Sequence, residues 1–426
     1  MHTTKPQTLS GVLVVGGGYA GLHAVRAAER AGVGVTLLDA SPEHSFATRL
    51  AAVAGGTAPE SDASIPLDEL VDTVLVGRMS AVGDGWIRLD DGRSFEADAV
   101  VVTSGAGTSR PPIPGLDLAA RMRTAADARS LRGRIAEADT VVVVGGGASG
   151  VQLAAATAQA HPATTVHLVE AGTSLLPGMG PTLGRNAARI LEQRGVQVHL
   201  QTAADEILDD GVHTSQGRIA GLVVWVGGFA VDASSLGLPV DGAGRVVVNE
   251  DLSVQSMERT FAAGDIAAHS DGGGAPLPMS AQVAVRAGTA AGRNAARRTN
   301  GAATRPVQLG QLGWVMDLGG GRGLAELGPL PGPTLKLGGR RLALGPFPLA
   351  TPLLDLVPPF LHDGIDAKNV LEIAGLGALL PWTPRFAAWP GIPGGRATRL
   401  MTGASDIARS GPIASDPATA EAARPA

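Results

Sequence analysis

From Gly11 to Asp39 the spacing of apolar residues changes twice. Gly11-Val-Leu-Val-Val15 is a short, continuous apolar run, the pattern of a parallel strand buried on both faces. A glycine-rich turn follows, then a stretch with helical spacing through Arg30, then a second strand-like run, Val33–Asp39. The pattern predicts a compact β-α-β unit of the kind that binds a mononucleotide. The same succession returns about 130 residues later. Thr140–Val144 is a strand, Gly145–Gly150 a glycine turn, Val151–Ala160 a helix and Thr165–Glu170 a second strand.

Other runs fill in the plan. Ala97–Ser104 is a buried strand ending in a polar, glycine-containing turn, and Arg110–Gly115 is a proline-stiffened connector. Ile219–Gly228 is apolar and closes the second unit. Leu277–Arg298 predicts a long helix after a proline-rich start. The expected fold is α/β: two Rossmann-like dinucleotide-binding domains, one inserted in the other, plus a small C-terminal interface domain. The first domain takes residues 1–122 and 236–303, and the inserted one 123–235. Residues 304–402, rich in Gly, Pro and Leu, form the interface domain, and 403–426 read as a disordered tail.

Composition narrows the function. Of 426 residues only 17% are charged, the net charge is -5, and no basic run stands out, so a nucleic-acid partner is not expected. Lysine occurs only at Lys5, Lys336 and Lys368. The absence of cysteine excludes disulfides, cysteine–zinc sites, iron–sulfur clusters and a redox-active cysteine pair. It fits a reducing, cytoplasmic setting. Histidines show no metal-ligand spacing, so no metal is expected. Met1–Ser10 lacks the apolar stretch of a secretory leader. Leu342–Leu361 is apolar but broken by five prolines, so no segment reads as a membrane span.

The chemistry sits in the two glycine turns. Gly16-Gly17-Gly18-Tyr19-Ala20-Gly21 is a G-x-G-x-x-G between strand and helix. Gly16 permits the tight turn, Gly18 lets backbone approach a pyrophosphate, and Gly21 lets the helix pack on the strand. Asp39 lies 18 positions beyond Gly21, where a carboxylate meets a ribose. The second turn is Gly145-Gly146-Gly147-Ala148-Ser149-Gly150, and Glu170 follows Gly150 by 20 positions. A carboxylate there accepts both ribose hydroxyls and repels a 2′-phosphate, so NADH is expected over NADPH. Two such folds in one chain imply two dinucleotides face to face, a resident FAD and an exchangeable NADH.

The order of the remaining motifs resembles the two-dinucleotide-binding-domain flavoproteins. Within them it is similar to type II NADH dehydrogenases and apoptosis-inducing-factor-like reductases, over roughly Val12 to Asn300. Thr103-Ser104-Gly105 resembles the turn under the flavin. Val224-Trp225-Val226-Gly227-Gly228 resembles the crossover between domains. Gly264-Asp265 resembles the motif whose carboxylate holds the ribityl chain; an isolated Asp265 could instead cap a helix starting at Ile266. Ala281-Gln282 resembles the start of the helix aimed at the flavin pyrimidine. Arg49 falls where the resemblance places a residue lining the flavin, and a cation there would stabilise the reduced anion. The cofactors implied are FAD and NADH, and the implied partner is a small-molecule electron acceptor such as a quinone.

Departures from that pattern matter for the acceptor. Gln152 stands where the family usually shows glutamate near the flavin, and an amide cannot relay a proton near neutral pH. Gln282 is present, but Arg286 and Ala287 occupy the positions of a glutamine pair along the quinone path. Fast flavin reduction with slow quinone turnover is therefore expected, with Gln152 and Gln282 as the candidate catalytic pair. An oxygen-using or biosynthetic flavoprotein and a non-catalytic redox sensor are the alternatives. The resemblance also allows a homodimer and peripheral contact with the inner membrane surface; Leu371–Trp382, with Trp389 nearby, reads as a core or dimer contact, with an interfacial anchor as the alternative.

Overall fold

The computed structural model describes residues 6–311, 313–320, 322–327 and 342–348. The first sheet is built on β1 (Gln7–Val15), whose last five residues are all buried, with α1 (Tyr19–Arg30) and β2 (Val35–Asp39) following it. Its strand order is Val74–Val76, β2, β1, Ser94–Val102, Trp86–Leu89, Met79–Gly83. The last two are antiparallel additions, whereas β1 pairs in parallel with both β2 and Ser94–Val102. Thr260–Ala262, far along the chain, joins this sheet in parallel beside Ser94–Val102.

The second sheet is wholly parallel, in the order Ala120–Arg121, Leu222–Trp225, Thr140–Val144, Thr165–Val169, Gln197–His199. Helix α2 (Leu50–Ala54), from the first part of the chain, packs on α3 (Ala125–Ala136) and α4 (Ala148–Ala160) and shares their apolar core. Helix α5 (Pro181–Glu192) covers the same core with Leu183, Ala187, Ile190 and Leu191. The chain then returns to the first sheet through α6 (Ala281–Thr299), which lies close against α1. A Cβ at Gly288 would sit 2.0 Å from the Ala20 carbonyl oxygen, and one at Gly292 2.2 Å from that of Ala24, so these glycines set the approach of the two helices.

Three antiparallel strands, Gly313–Asp317, Arg322–Leu327 and Leu342–Pro348, follow α6. The low periodicity beyond Thr304 hid them. The proline-bearing strand 342–348 is at the sheet edge, where prolines within sheets are found. The first two are tied to the second sheet's helices. Gln152 Nε2 donates to the Asp317 carbonyl at 3.2 Å, Arg194 donates to the carbonyls of Leu318 and Gly319, and Arg322 donates to Gln193 Oε1 at 2.6 Å.

Several expected boundaries move. Helix α4 begins at Ala148, not Val151, because the fingerprint's own last turn is already helical. Helix α6 begins at Ala281, not Leu277: Ser280 caps it, accepting from Val283 N at 3.3 Å, and Pro278 precedes it. The single apolar run Ile219–Gly228 is two strands, Gly217–Ala220 and Leu222–Trp225, split at Gly221 with φ +142°. No helix begins at Ile266, so Asp265 is not a helix cap. The expectations for Leu371–Trp382, Trp389 and the tail 403–426 lie outside the described residues, as does most of 328–402. No helix among the described residues is long and apolar enough to cross a membrane.

Candidate active site

The two glycine turns have the same internal geometry. Gly16 has φ +109°, and a Cβ on it would lie 2.4 Å from the Thr103 carbonyl oxygen. Gly145 has φ +119°, and its Cβ would lie 2.8 Å from the Val226 carbonyl. At both positions only glycine is tolerated, on backbone conformation as well as space. Gly21 presses against the Gly16 carbonyl oxygen, where a Cβ would be 1.7 Å away; Gly150 presses against that of Gly145 at 1.9 Å. Gly18 and Gly147 differ: a Cβ on either meets nothing within 4 Å. Their lack of a side chain serves no internal packing and leaves space at the helix N-terminus.

Both acidic residues anchor the turn they follow. Asp39 Oδ2 accepts from Gly17 N at 2.5 Å and Oδ1 from Ser41 N at 2.7 Å. Glu170 Oε2 accepts from Gly146 N at 2.7 Å and Oε1 from Gly172 N at 2.7 Å. Each carboxylate oxygen has remaining lone pairs that can receive ribose hydroxyls. Neither α1 nor α4 has a side-chain cap or an acidic residue in its first turn, while α3 carries a full Thr124–Asp127 capping box. The partial positive charge at the first two helix ends is therefore left for an anion. Arg185 bonds Thr182 Oγ1 on its own helix at 3.1 Å.

Around the first turn the packing is rigid. Thr103 Oγ1 lies 2.9 Å from the carbonyl oxygens of both Val15 and Gly16. His44 is buried between Tyr19 and Phe46, edge-to-face with both. Its Nδ1–H donates to the Gly17 carbonyl at 2.7 Å. Burial, and to a lesser extent Arg26, pushes its pKa down to about 4, against the opposing pull of the Gly17 bond, so the ring is neutral.

A cavity of about 520 Å³ runs from this turn to the second. Its lining includes Gly16, Gly18, Tyr19, Ala20 and Asp39 from the first unit, and Ala148, Ser149 and Gln152 from the start of α4. Ser104, Gly105, Gly264, Asp265, Ala281 and Gln282 line it as well. Gly21 is below the surface it shapes. Gly145, Gly147, Gly150, Glu170 and Gly228 lie outside the lining, although Phe229, next to Gly228, is part of it. Asp265 is desolvated, which raises its pKa, and the nearby Arg123 opposes that rise. Trp225 packs in the core, with Nε1 donating to the Ser109 carbonyl at 3.1 Å.

Two side chains of the cavity wall have partners within the protein. Arg49 lines the cavity but is ion-paired with Asp62, so its charge is already matched within the protein. Gln152 lines it too, with its amide N–H engaged by Asp317 of the C-terminal strand. Arg123 was not among the residues singled out by the motifs. Arg123 lines the cavity, donates to the Ala106 carbonyl from Nε and Nη2 at 3.0 and 2.6 Å, and lies 4.5 Å from the Phe229 ring centroid. Its only sequence signal is its place just before the Thr124–Asp127 box, which marks a helix start and not a cavity wall.

Comparison with known proteins agrees with this geometry. Residues 10–288 match the family of pyridine nucleotide-disulphide oxidoreductases. The chain is 30% identical over 326 residues to the type II NADH:quinone oxidoreductase NdhA of Mycobacterium tuberculosis, covering 62% of this chain and 68% of that protein. It is 25% identical over 411 residues to the type II NADH:quinone oxidoreductase of Staphylococcus aureus, covering 86% and 96%. Among solved structures, NDH2 from Plasmodium falciparum in complex with NADH is similar in fold, with a TM-score of 0.66 at 14% identity, covering 89% and 99%. The water-forming NADH oxidase from Lactobacillus brevis bound to NADH has a TM-score of 0.66 at 21% identity, covering 75% of each chain.

Proposed function

The chain belongs to the pyridine nucleotide-disulphide oxidoreductase family, and from that premise we propose that it oxidises NADH through bound FAD and passes the electrons to a quinone. The observation that carries this reading is the shared cavity: the N-termini of α1 and α4 open into one space, whose wall also includes Asp265 and Gln282. Two dinucleotides held in that way meet at their reactive rings. The chain has no cysteine, so the disulphide in the family's name has no counterpart here and the electrons must go to an external acceptor.

The residues fit FAD. Gly16, Gly18, Tyr19, Ala20 and Gly21 would hold its pyrophosphate, and Asp39 its adenosine ribose. The space in front of Gly18, which no protein atom fills, is what a pyrophosphate needs. Ser104, Gly105, Gly264 and Asp265 would hold the ribityl chain; a desolvated carboxyl such as Asp265 calls for hydroxyl partners. Ala281 and Gln282 would meet the pyrimidine end. NADH would take Gly145, Gly147, Ala148, Ser149 and Gly150 for its pyrophosphate, Glu170 for its ribose, and Gly228 at the domain crossover. When bound, FAD supplies the two-electron carrier between the two substrates. In balance, NADH, quinone and one proton give NAD⁺ and quinol; the hydride brings two electrons and one proton, and the second proton comes from solvent.

The chain's own residues orient and exclude. Glu170 fixes the second turn through Gly146 and would select against a 2′-phosphate. Arg123 offsets the desolvation of Asp265, while Gln152 holds the C-terminal strand at the cavity and moves no proton. Gln152, Arg286 and Ala287 predict slow quinone turnover; relatedness to type II NADH:quinone oxidoreductases supports a quinone as acceptor. Use of a quinone implies peripheral contact with a membrane, to be tested by flotation with vesicles. The reading itself is tested by purifying the protein, identifying the released flavin, and following NADH-dependent reduction of a short-chain ubiquinone. A protein that cannot be loaded with FAD would refute it.

A further inference from the structure

We propose that His269 is a positioning residue for the flavin: its imidazole fixes Gly264, beside Asp265, and its backbone fixes the approach to α6, so that one buried residue aligns two loops of the cavity wall. This rests on the reading above, in which FAD occupies that part of the cavity, and adds a residue that none of the motifs contains. His269 is 5% exposed and is not itself part of the lining. Gly264 N donates to His269 Nε2 at 3.2 Å. An accepting Nε2 carries no proton, so that bond assigns the ring's hydrogen to Nδ1. Gly264 is fastened again where Ala267 N donates to its carbonyl at 3.1 Å. Gly264 has φ +81°, and a Cβ on it would lie 2.9 Å from that of Ala20 in the first glycine turn's sequence. The residue before Asp265 is thus set between the start of α1 and the imidazole. The His269 carbonyl accepts from Leu277 N at 2.8 Å, and Leu277 leads through Pro278 into Met279, Ser280 and Ala281, which line the cavity.

The ring is a poor choice for packing alone. His269 Nδ1 is buried with no hydrogen-bond partner, so among the described residues Gly264 N is the only group that bonds the imidazole. A buried donor without an acceptor is destabilising, and an apolar side chain of similar size would avoid it. A polar group kept against stability beside a cofactor motif points to a role in that motif. What the ring offers there is one acceptor, aimed at Gly264. Burial first, and then the charge of Arg245, push its pKa down to about 4, so the acceptor is a neutral imidazole. Arg245 is paired with Asp241 at 3.3 Å and donates from Nη1 to the Leu277 carbonyl at 3.4 Å. The cation that keeps the ring neutral therefore also ties down the second loop.

The test uses the full-length FAD-loaded protein with His269→Leu, His269→Phe and His269→Gln, and with Ile135→Val as a packing control in the core of the second unit. Two quantities are measured: Tm, and the rate of FAD release after dilution, read as the rise of free-flavin fluorescence. Leucine and phenylalanine fill the space without an acceptor, and both also remove the unpartnered donor. Each is expected to speed FAD release about tenfold, the size of one lost neutral hydrogen bond. His269→Gln, whose Oε1 can accept from Gly264 N, should stay within about threefold of wild type. Ile135→Val should lower Tm yet leave FAD release within about twofold. Unchanged release in the leucine and phenylalanine variants, equal acceleration in the glutamine variant, or release that simply follows Tm across all four proteins would overturn the proposal while leaving the NADH-oxidising reading intact. A wild type that cannot be loaded with FAD would instead overturn that reading, and this role with it.

Discussion

At the scale of single residues, the two glycine turns separate binding from folding. A side chain at Gly21 or Gly150 would collide with backbone and is expected to prevent folding. One at Gly18 or Gly147 meets only open space. Gly18→Val should therefore fold, with a normal circular dichroism spectrum, yet come off the column colourless. Gly147→Val should stay yellow and show an NADH KM raised about tenfold or more. A Gly147→Val protein with wild-type NADH kinetics would show that nucleotide does not bind at that turn. Glu170 carries the next prediction: Glu170→Gln loses an acceptor for one of its two backbone N–H partners and part of its repulsion of a 2′-phosphate. The NADH preference over NADPH should narrow about tenfold, as read from the ratio of kcat/KM values. The glycines and both acids were legible because their chemistry is tied to fixed spacing. Arg123 was not, because nothing local marks a side chain that reaches a cavity from a linker.

At the scale of elements, the strands and helices of both nucleotide units were readable from period and glycine placement, with ends shifted by a few residues. Helix α6 started late because Pro278 and the Ser280 cap outweigh the apolar pattern at Leu277. The three C-terminal strands were unreadable, since a sheet docked on helices by side-chain-to-backbone bonds needs no strong alternation of its own. That docking makes a prediction about Gln152. As an amide it donates to the Asp317 carbonyl; as a carboxylate it would set one acceptor against another, with no N–H between them. Gln152→Glu should weaken the docking by about 1–3 kcal/mol and raise protease sensitivity in the region after α6. It should not raise quinone turnover, as a proton-relaying glutamate at that position would. Faster quinone reduction by Gln152→Glu, with unchanged protease resistance, would contradict the docking role.

At the scale of the whole molecule, stability depends on buried neutral imidazoles. Burial first, and then nearby cations including Arg26, lower the pKa of His23 to about 3 and of His44 to about 4; burial and Arg245 lower His269 to about 4. In the unfolded chain a histidine titrates near about 6.5. The unfolded state therefore binds more protons below that pH, and stability present above it is lost as the pH falls through the folded values. Tm should be level above about pH 7 and drop steadily between about pH 6.5 and 4. His44→Asn, which removes one titrating group, should flatten part of that drop; a Tm insensitive to pH in this window would show that these rings protonate without unfolding. NADH and FAD are expected to meet in the cavity lined by both nucleotide units. The most direct test of that meeting is anaerobic stopped-flow mixing of the FAD-loaded protein with one equivalent of NADH. Stoichiometric, single-phase loss of the flavin's visible absorbance is expected, faster with NADH than with NADPH. A protein that holds FAD but is not bleached by NADH would contradict it.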